Sequence, residues 1–247
     1  MKLTVFFTPL GVGSQPIAGK PIIVIDVLRA TTSIVAAMAN GARAVVPAAS
    51  GDDAWRLAQS LESETVLLAG ERGSLPIEGF DLGNSPHEMT RAAVEGKTIV
   101  MSTTNGTRAM LMAESGGPVM IAAITNFAAV VARAREEFER SGEMIILCSG
   151  RRSMFSLEDA YVAGRLAGEL LPGRMRSRAE VNDAAIAAFE LARRYGDKWR
   201  RAILSSAAAR DLKRLGFKKD LDAATEVDAH TVVPIYSQRL ITVADST

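Results

Sequence analysis

The chain has 247 residues, 48% apolar and 23% charged, enough to bury a substantial core and too apolar for a disordered chain. Its formal net charge is +1, from 29 Lys and Arg against 28 Asp and Glu, and the absence of a dense basic block argues against a nucleic-acid partner. A single cysteine, Cys148, excludes an intramolecular disulfide, and with only two histidines there is little material for a nitrogen/sulfur zinc site.

The opening run MKLTVFFTPLGVG is short and broken by Pro9 and Gly11. It reads as a first strand over residues 3–8, not as a leader or a membrane span. PIIVIDV follows as a buried strand at 21–27, and further strands are expected at 44–47, 65–69, 97–101, 119–124 and 144–148. Most are nearly continuous apolar runs, the pattern of interior strands covered on both faces. Helical periodicity fills the intervals at 52–61, 106–113, 126–140, 157–171 and 181–195. In 126–140, Val130, Val131, Ala134 and Phe138 form the apolar stripe, and Arg133, Glu136, Glu137 and Arg140 lie outside it. Strand alternating with helix predicts an α/β sheet with helices on both faces. After residue 175 the pattern is mostly helical, and the closing runs TVVPIYS and RLITV add antiparallel strands to make a mixed sheet. No linker, low-complexity tract or repeat interrupts the chain, so 1–247 is read as one domain, soluble and cytoplasmic, with a homodimer as the default.

Ligands of open α/β sheets bind beyond the carboxyl ends of the strands, and four predicted strand ends carry reactive groups. The first is VIDVLRATTS. An Asp inside an apolar strand needs a partner, so Asp26 suits a hard cation and Arg29 an anionic oxygen. Thr31 is either a second anion contact or a helix cap. The second edge places Glu71 and Arg72 directly after a strand, then GFDLGNSP, with Asp81 and Asn84 in the wall of a shaped loop. Ser85, Pro86 and Glu88 fit a capping box opening the next helix, which makes Glu88 structural. The third is STTNGTRA, where Thr103, Thr104, Asn105, Gly106 and Thr107 offer hydroxyls and amides at a helix start and Arg108 a cation. The Walker spacing is absent. The fourth is CSGRRSMFSLED. Arg151 is a candidate anion contact and Glu158 a metal ligand, while Ser156 with Asp159 also fits a capping box, leaving Asp159 between ligand and cap. Cys148, at the end of a buried strand, is read as inert. Oxygen donors with few His or Cys favour magnesium or manganese, and the arginines favour a phosphate.

The blocks VIDVLRATTS, GFDLGNSP, STTNGTRA and SLEDAYVAG occur in this order, with weaker similarity in LKRLGFKKDLDAAT. The sequence resembles the 2-phosphosulfolactate phosphatase family. That resemblance implies a three-layer α/β/α fold with a mixed, largely parallel sheet. It also implies a Mg²⁺-dependent phosphatase converting 2-phosphosulfolactate to sulfolactate, a step of coenzyme M biosynthesis. Carried over by motif, its site draws on Asp26, Arg29, Glu71, Asp81, Asn84, Thr104, Asn105, Arg108, Glu158 and Asp159. The expected mechanism has Mg²⁺ on two or more of Asp26, Glu71, Glu158 and Asp159. Arg29, Arg108 and the 103–107 turn stabilise the transferring group, and Arg72 or Arg151 holds the substrate's carboxylate or sulfonate. Asp26 lacks the DxD pattern of haloacid dehalogenases, which favours metal-activated water over a phospho-aspartate. A phosphatase or phosphotransferase for another phosphorylated carboxylic acid, and a non-catalytic small-anion sensor, are the alternatives.

Overall fold

In the computed structural model, which describes residues 1–13, 15–61 and 65–243, strands of two to seven residues, most of them apolar, assemble one eleven-stranded sheet. In chain order the first half consists of β1 (Lys2–Phe6), β2 (Ile22–Ile25), α1 (Ala30–Ala39), β3 (Ala44–Pro47), α2 (Gly51–Ser60), β4 (Val66–Arg72), β5 (Leu75–Pro76), α3 (Arg91–Val94), β6 (Thr98–Ser102) and α4 (Gly106–Met112). The second half consists of β7 (Val119–Ala122), α5 (Phe127–Ser141), β8 (Glu143–Cys148), α6 (Leu157–Leu170), β9 (Glu180–Val181), α7 (Asp183–Tyr195), α8 (Trp199–Leu204), α9 (Ala207–Arg214), α10 (Lys218–Ala223), β10 (Ile235–Ser237) and β11 (Leu240–Thr242). None of the described helices is long and apolar enough to cross a membrane.

The strand order is β5-β4-β6-β3-β11-β10-β7-β2-β8-β1-β9. All four residues of β2 are buried, because it pairs in parallel with β7 on one side and β8 on the other and is covered on both faces. One face carries Ile23, Ile25, Met120 and Ile146 against α5, α6 and α7. The other carries Ile22, Val24, Ile121 and Leu147 against α1 and α4. The result is the three-layer α/β/α architecture with a mixed, largely parallel sheet.

The mixing has a particular form. β7, β2, β8, β1 and β9 form one parallel block, and β3, β6 and β4 another. The hairpin β10–β11 lies between them and is antiparallel to β7 on one side and to β3 on the other. The two blocks therefore point in opposite senses along the sheet. Twist of roughly 20–25° per strand, over the five steps from β2 to β6, swings them through about 100–125°. Their carboxyl ends converge: the Asp26 carboxylate after β2 packs on Gly106 after β6, and the Arg152 N–H after β8 donates to Asn105 Oδ1 at 3.0 Å.

Two local expectations are corrected. Residues 85–88 form a turn and open no helix, because the Ser85 hydroxyl donates to Asp220 Oδ1 at 2.7 Å and Glu88 reaches back to the Gly83 N–H. The strand expected at 119–124 stops at Ala122, where Asn126 Oδ1 accepts the Ala123 N–H and bends the chain into a short turn.

Candidate active site

Asp26 is the first residue past β2 and is 6% exposed. Thr31 holds it by the backbone: its hydroxyl donates to the Asp26 carbonyl at 2.8 Å and accepts the Asp26 N–H at 3.0 Å. The carboxylate accepts the Ala30 N–H at 3.3 Å where α1 begins. Thr31 thus orients Asp26 and, being fully buried, does not reach the cleft, so its expected anion contact is corrected. Gly106 forms the opposite wall. A Cβ there would stand 2.7 Å from Asp26 Oδ2 and collide with the Ala30 methyl, so only glycine lets α4 approach.

Glu71, near the end of β4, is tied by three donors. Thr104 N–H lies 2.6 Å from its Oε1, and Ser74 N–H and the Thr104 hydroxyl lie 2.6 and 3.0 Å from its Oε2. Glu158 and Asp159 come from the first turn of α6. Asp159 is not the helix cap. Its Oδ1 accepts the Val27 N–H at 2.9 Å and its Oδ2 the Ser149 hydroxyl at 3.1 Å, so the chain after β2 and the chain after β8 both fix it. Asp26, Glu71, Glu158 and Asp159 line one cleft with Asn84, Thr104 and Asn105.

Burial dominates the electrostatics here. It pushes Asp26 up to about 7, Ser149 opposes, and the charges of Glu71 and Glu158 add to the rise. Burial likewise raises Glu158, against the hydroxyls of Ser156 and Ser206. Asp159 is raised well above the usual range by burial and by the charges of Glu158 and Asp26. Cys148, buried at the end of β8, is pushed up in the same way and stays a thiol, as expected of an inert strand cysteine.

The cations are arranged differently from the sequence expectation. Arg29 lines the cleft but its guanidinium is spent: NH1 donates to Asp220 Oδ2 and NH2 to the Ser74 carbonyl, both at 2.7 Å, and the group stacks 4.4 Å from the Phe217 ring. Arg151 also lines it and is paired with Asp211, which Arg214 shares. Arg72 turns away, donating to the Glu71 carbonyl and the Ser102 hydroxyl, because both lie on its own sheet edge. Asp81 is exposed and accepts the Leu68 N–H at 2.8 Å, completing the open side of β4. Thr103 and Thr107 bond each other reciprocally and stay buried. Arg108 is outside the acidic cleft, in an adjoining groove, where it donates to Ser153 Oγ at 3.3 Å. Arg72, Asp81, Thr103 and Thr107 are thus corrected from ligand contacts to scaffold.

Sequence reasoning passed over Asp220, Asp211 and Ser149. Asp220 lies in LKRLGFKKDLDAAT, which carried a signal as a block, but its partner Arg29 is 191 residues away. Arg152 lines both the cleft and the groove, and among the described residues its side chain makes no hydrogen bond or ion pair.

The donor set fits a hard cation. Among the described residues Asp26, Glu71, Glu158 and Asp159 have no ion-pair partner, while the fifth carboxylate lining the cleft, Asp211, is paired with Arg151 and Arg214, and Arg29 is neutralised by Asp220. Asn84 Oδ1 is buried without a partner and adds a neutral oxygen. No three acids converge on one point among the described residues. Mg²⁺ keeps several waters and uses one or two carboxylates, so a pair of these acids would be enough to hold it.

An acidic, oxygen-lined cleft edged by arginines, at the meeting of two parallel strand blocks, marks an α/β protein with a charged site beyond the carboxyl ends of its strands. A family model described as 2-phosphosulpholactate phosphatase matches residues 7–239. A probable 2-phosphosulfolactate phosphatase of Symbiobacterium thermophilum is 39% identical over 225 residues, covering 91% of this chain and 94% of its own. Proteins of the same printed name from Caldanaerobacter subterraneus subsp. tengcongensis and Clostridium novyi are each 34% identical. They cover 95% and 98% of this chain, and 95% and 100% of their own. The chain belongs to the 2-phosphosulfolactate phosphatase family, hydrolases of phosphate monoesters.

Proposed function

We propose that this protein hydrolyses 2-phosphosulfolactate to sulfolactate and inorganic phosphate with Mg²⁺, the reaction that the resemblance assigns to coenzyme M biosynthesis. The observation that supports it most is the set of four carboxylates without counter-ions in one buried cleft of a chain from this family. Several acids held together in low dielectric are costly unless a cation joins them.

Glu158 and Asp159, with Asn84 Oδ1, are the groups that would hold the ion. When bound, Mg²⁺ supplies charge withdrawal from the phosphoryl oxygens. The chain's own residues then orient and move protons. Asp159 is kept in one rotamer by Val27 and Ser149, and Glu71 fastens the 73–74 loop to Thr104. In hydrolysis a water oxygen bonds to phosphorus, the phosphorus–oxygen ester bond breaks, and a proton passes from the water to the departing alkoxide. A carboxyl near 7, such as Asp26, suits that transfer at neutral pH. The test is phosphate release from 2-phosphosulfolactate with Mg²⁺ and with chelator. Asp26→Asn should lower kcat by about 10²–10⁴-fold. Near wild-type turnover by that variant removes the role given to Asp26, and no phosphate release by wild type overturns the function.

A further inference from the structure

The acidic cleft is small, about 90 Å³, room for a few water-sized groups. Beside it lies a groove of about 300 Å³, at the lower end of the range for small-ligand pockets. Thr104, Asn105 and Arg152 belong to both and form the wall between them. The two compartments differ in their acids. Five carboxylates line the cleft, Asp211 with its partners Arg151 and Arg214 among them, and Arg29 and Arg152 line it too. The groove has no acidic residue in its lining, which carries Arg108 and Arg152 with the hydroxyls of Ser149, Ser153 and Thr104.

Among the described residues neither groove arginine is neutralised: Arg108 donates only to a neutral hydroxyl, Ser153 Oγ, and Arg152 has no side-chain partner. This contrasts with Arg29 and Arg151, both locked to aspartates. The backbone beneath Arg152 is also fixed: its N–H is held by Asn105 Oδ1, and Arg151 and Met154 exchange backbone hydrogen bonds at 2.8 and 2.9 Å around it. A guanidinium on a pinned turn, beside a second one, is a receptor for planar or trigonal anionic oxygens.

We propose that this groove is the subsite for the non-phosphoryl acid groups of the substrate. The phosphoryl group enters the acidic cleft, and the carboxylate and sulfonate end lies across Thr104 and Asn105 against Arg108 and Arg152. Two free guanidiniums match two anionic groups. The assignment moves the acid-recognising role from Arg72 and Arg151 to Arg152, and moves Arg108 from the transferring phosphoryl group to the far end of the substrate. It rests on the reading of the substrate as a phosphorylated diacid.

The test is calorimetry in saturating Mg²⁺ with two probes, sulfolactate and inorganic phosphate, on wild type, Arg108→Gln, Arg152→Gln and Arg152→Lys, alongside steady-state kinetics. Each Gln variant should weaken sulfolactate at least tenfold and phosphate less than twofold. Arg152→Lys should recover part of the loss, and KM for 2-phosphosulfolactate should rise much more than kcat falls. Sulfolactate binding retained by both Gln variants overturns the subsite. So does equal loss of both probes, which would make the groove the phosphate site, or no sulfolactate binding by wild type. Failure of the proposed reaction reads differently: no phosphate release by wild type, with sulfolactate binding and its arginine dependence intact.

Discussion

A glycine beside a carboxylate is the tightest constraint in the site. Gly106 touches Asp26 and Ala30, and its first added carbon meets the Asp26 carboxylate at 2.7 Å. Gly106→Ala must push α4 away from α1 or turn Asp26 out of its place. Overpacking of this kind costs about 1–3 kcal/mol, worth roughly 2–4 °C per kcal/mol in a chain of this size. The expected outcome is a fall in Tm of several degrees with a loss of kcat/KM exceeding tenfold, read by thermal melts and phosphate release. Asp26 itself was legible in the sequence, because an acid in an otherwise apolar strand has few structural uses. Asp159 was not: SLED reads equally well as a capped helix start, and only the arrival of the Val27 N–H and the Ser149 hydroxyl decides where the side chain points.

At the scale of elements, α10 is clamped to the cleft by one buried charge. Asp220, 3% exposed, accepts from Arg29 and from Ser85, joining the helix to the loops after β2 and β5. Removing one partner of a buried pair leaves the other charge without compensation, at about 3–5 kcal/mol. Asp220→Ala should therefore lower the denaturant midpoint sharply, and Arg29→Leu combined with Asp220→Leu should recover much of the loss. Equal losses in single and double variants would show that the pair is not coupled. The helices and strands were largely visible from periodicity, as for β2, α5 and α6. Their misassigned neighbours, such as the turn at 85–88, share a cause: Ser85 and Glu88 have the residue types of a cap, but partners distant in sequence claim them first.

At the scale of the whole molecule, the buried acids tie stability to pH and to metal. A carboxyl raised on folding binds its proton more tightly in the folded state than in the chain. Its stabilising contribution is complete below about 4, the unfolded value. That contribution is lost as pH rises toward about 7 for Asp26, with Glu158 and Asp159 acting in the same direction. Metal-free protein should melt at a lower temperature at pH 8 than at pH 5.5, and Mg²⁺ should raise Tm more at pH 8, where fewer protons compete with a cation for the acids. A Tm shift on adding Mg²⁺ that is equal at both pH values would separate the acids from metal binding. By itself the sequence determined the α/β alternation, the two-sided burial of the strands and the strand ends that carry acids, since these follow from local periodicity and residue chemistry. Which arginines are free and which are spent, and that two opposed strand blocks bring their ends together, was decided only by the tertiary structure. Charge pairing and sheet twist join residues far apart in the chain, and no local pattern encodes such a partner.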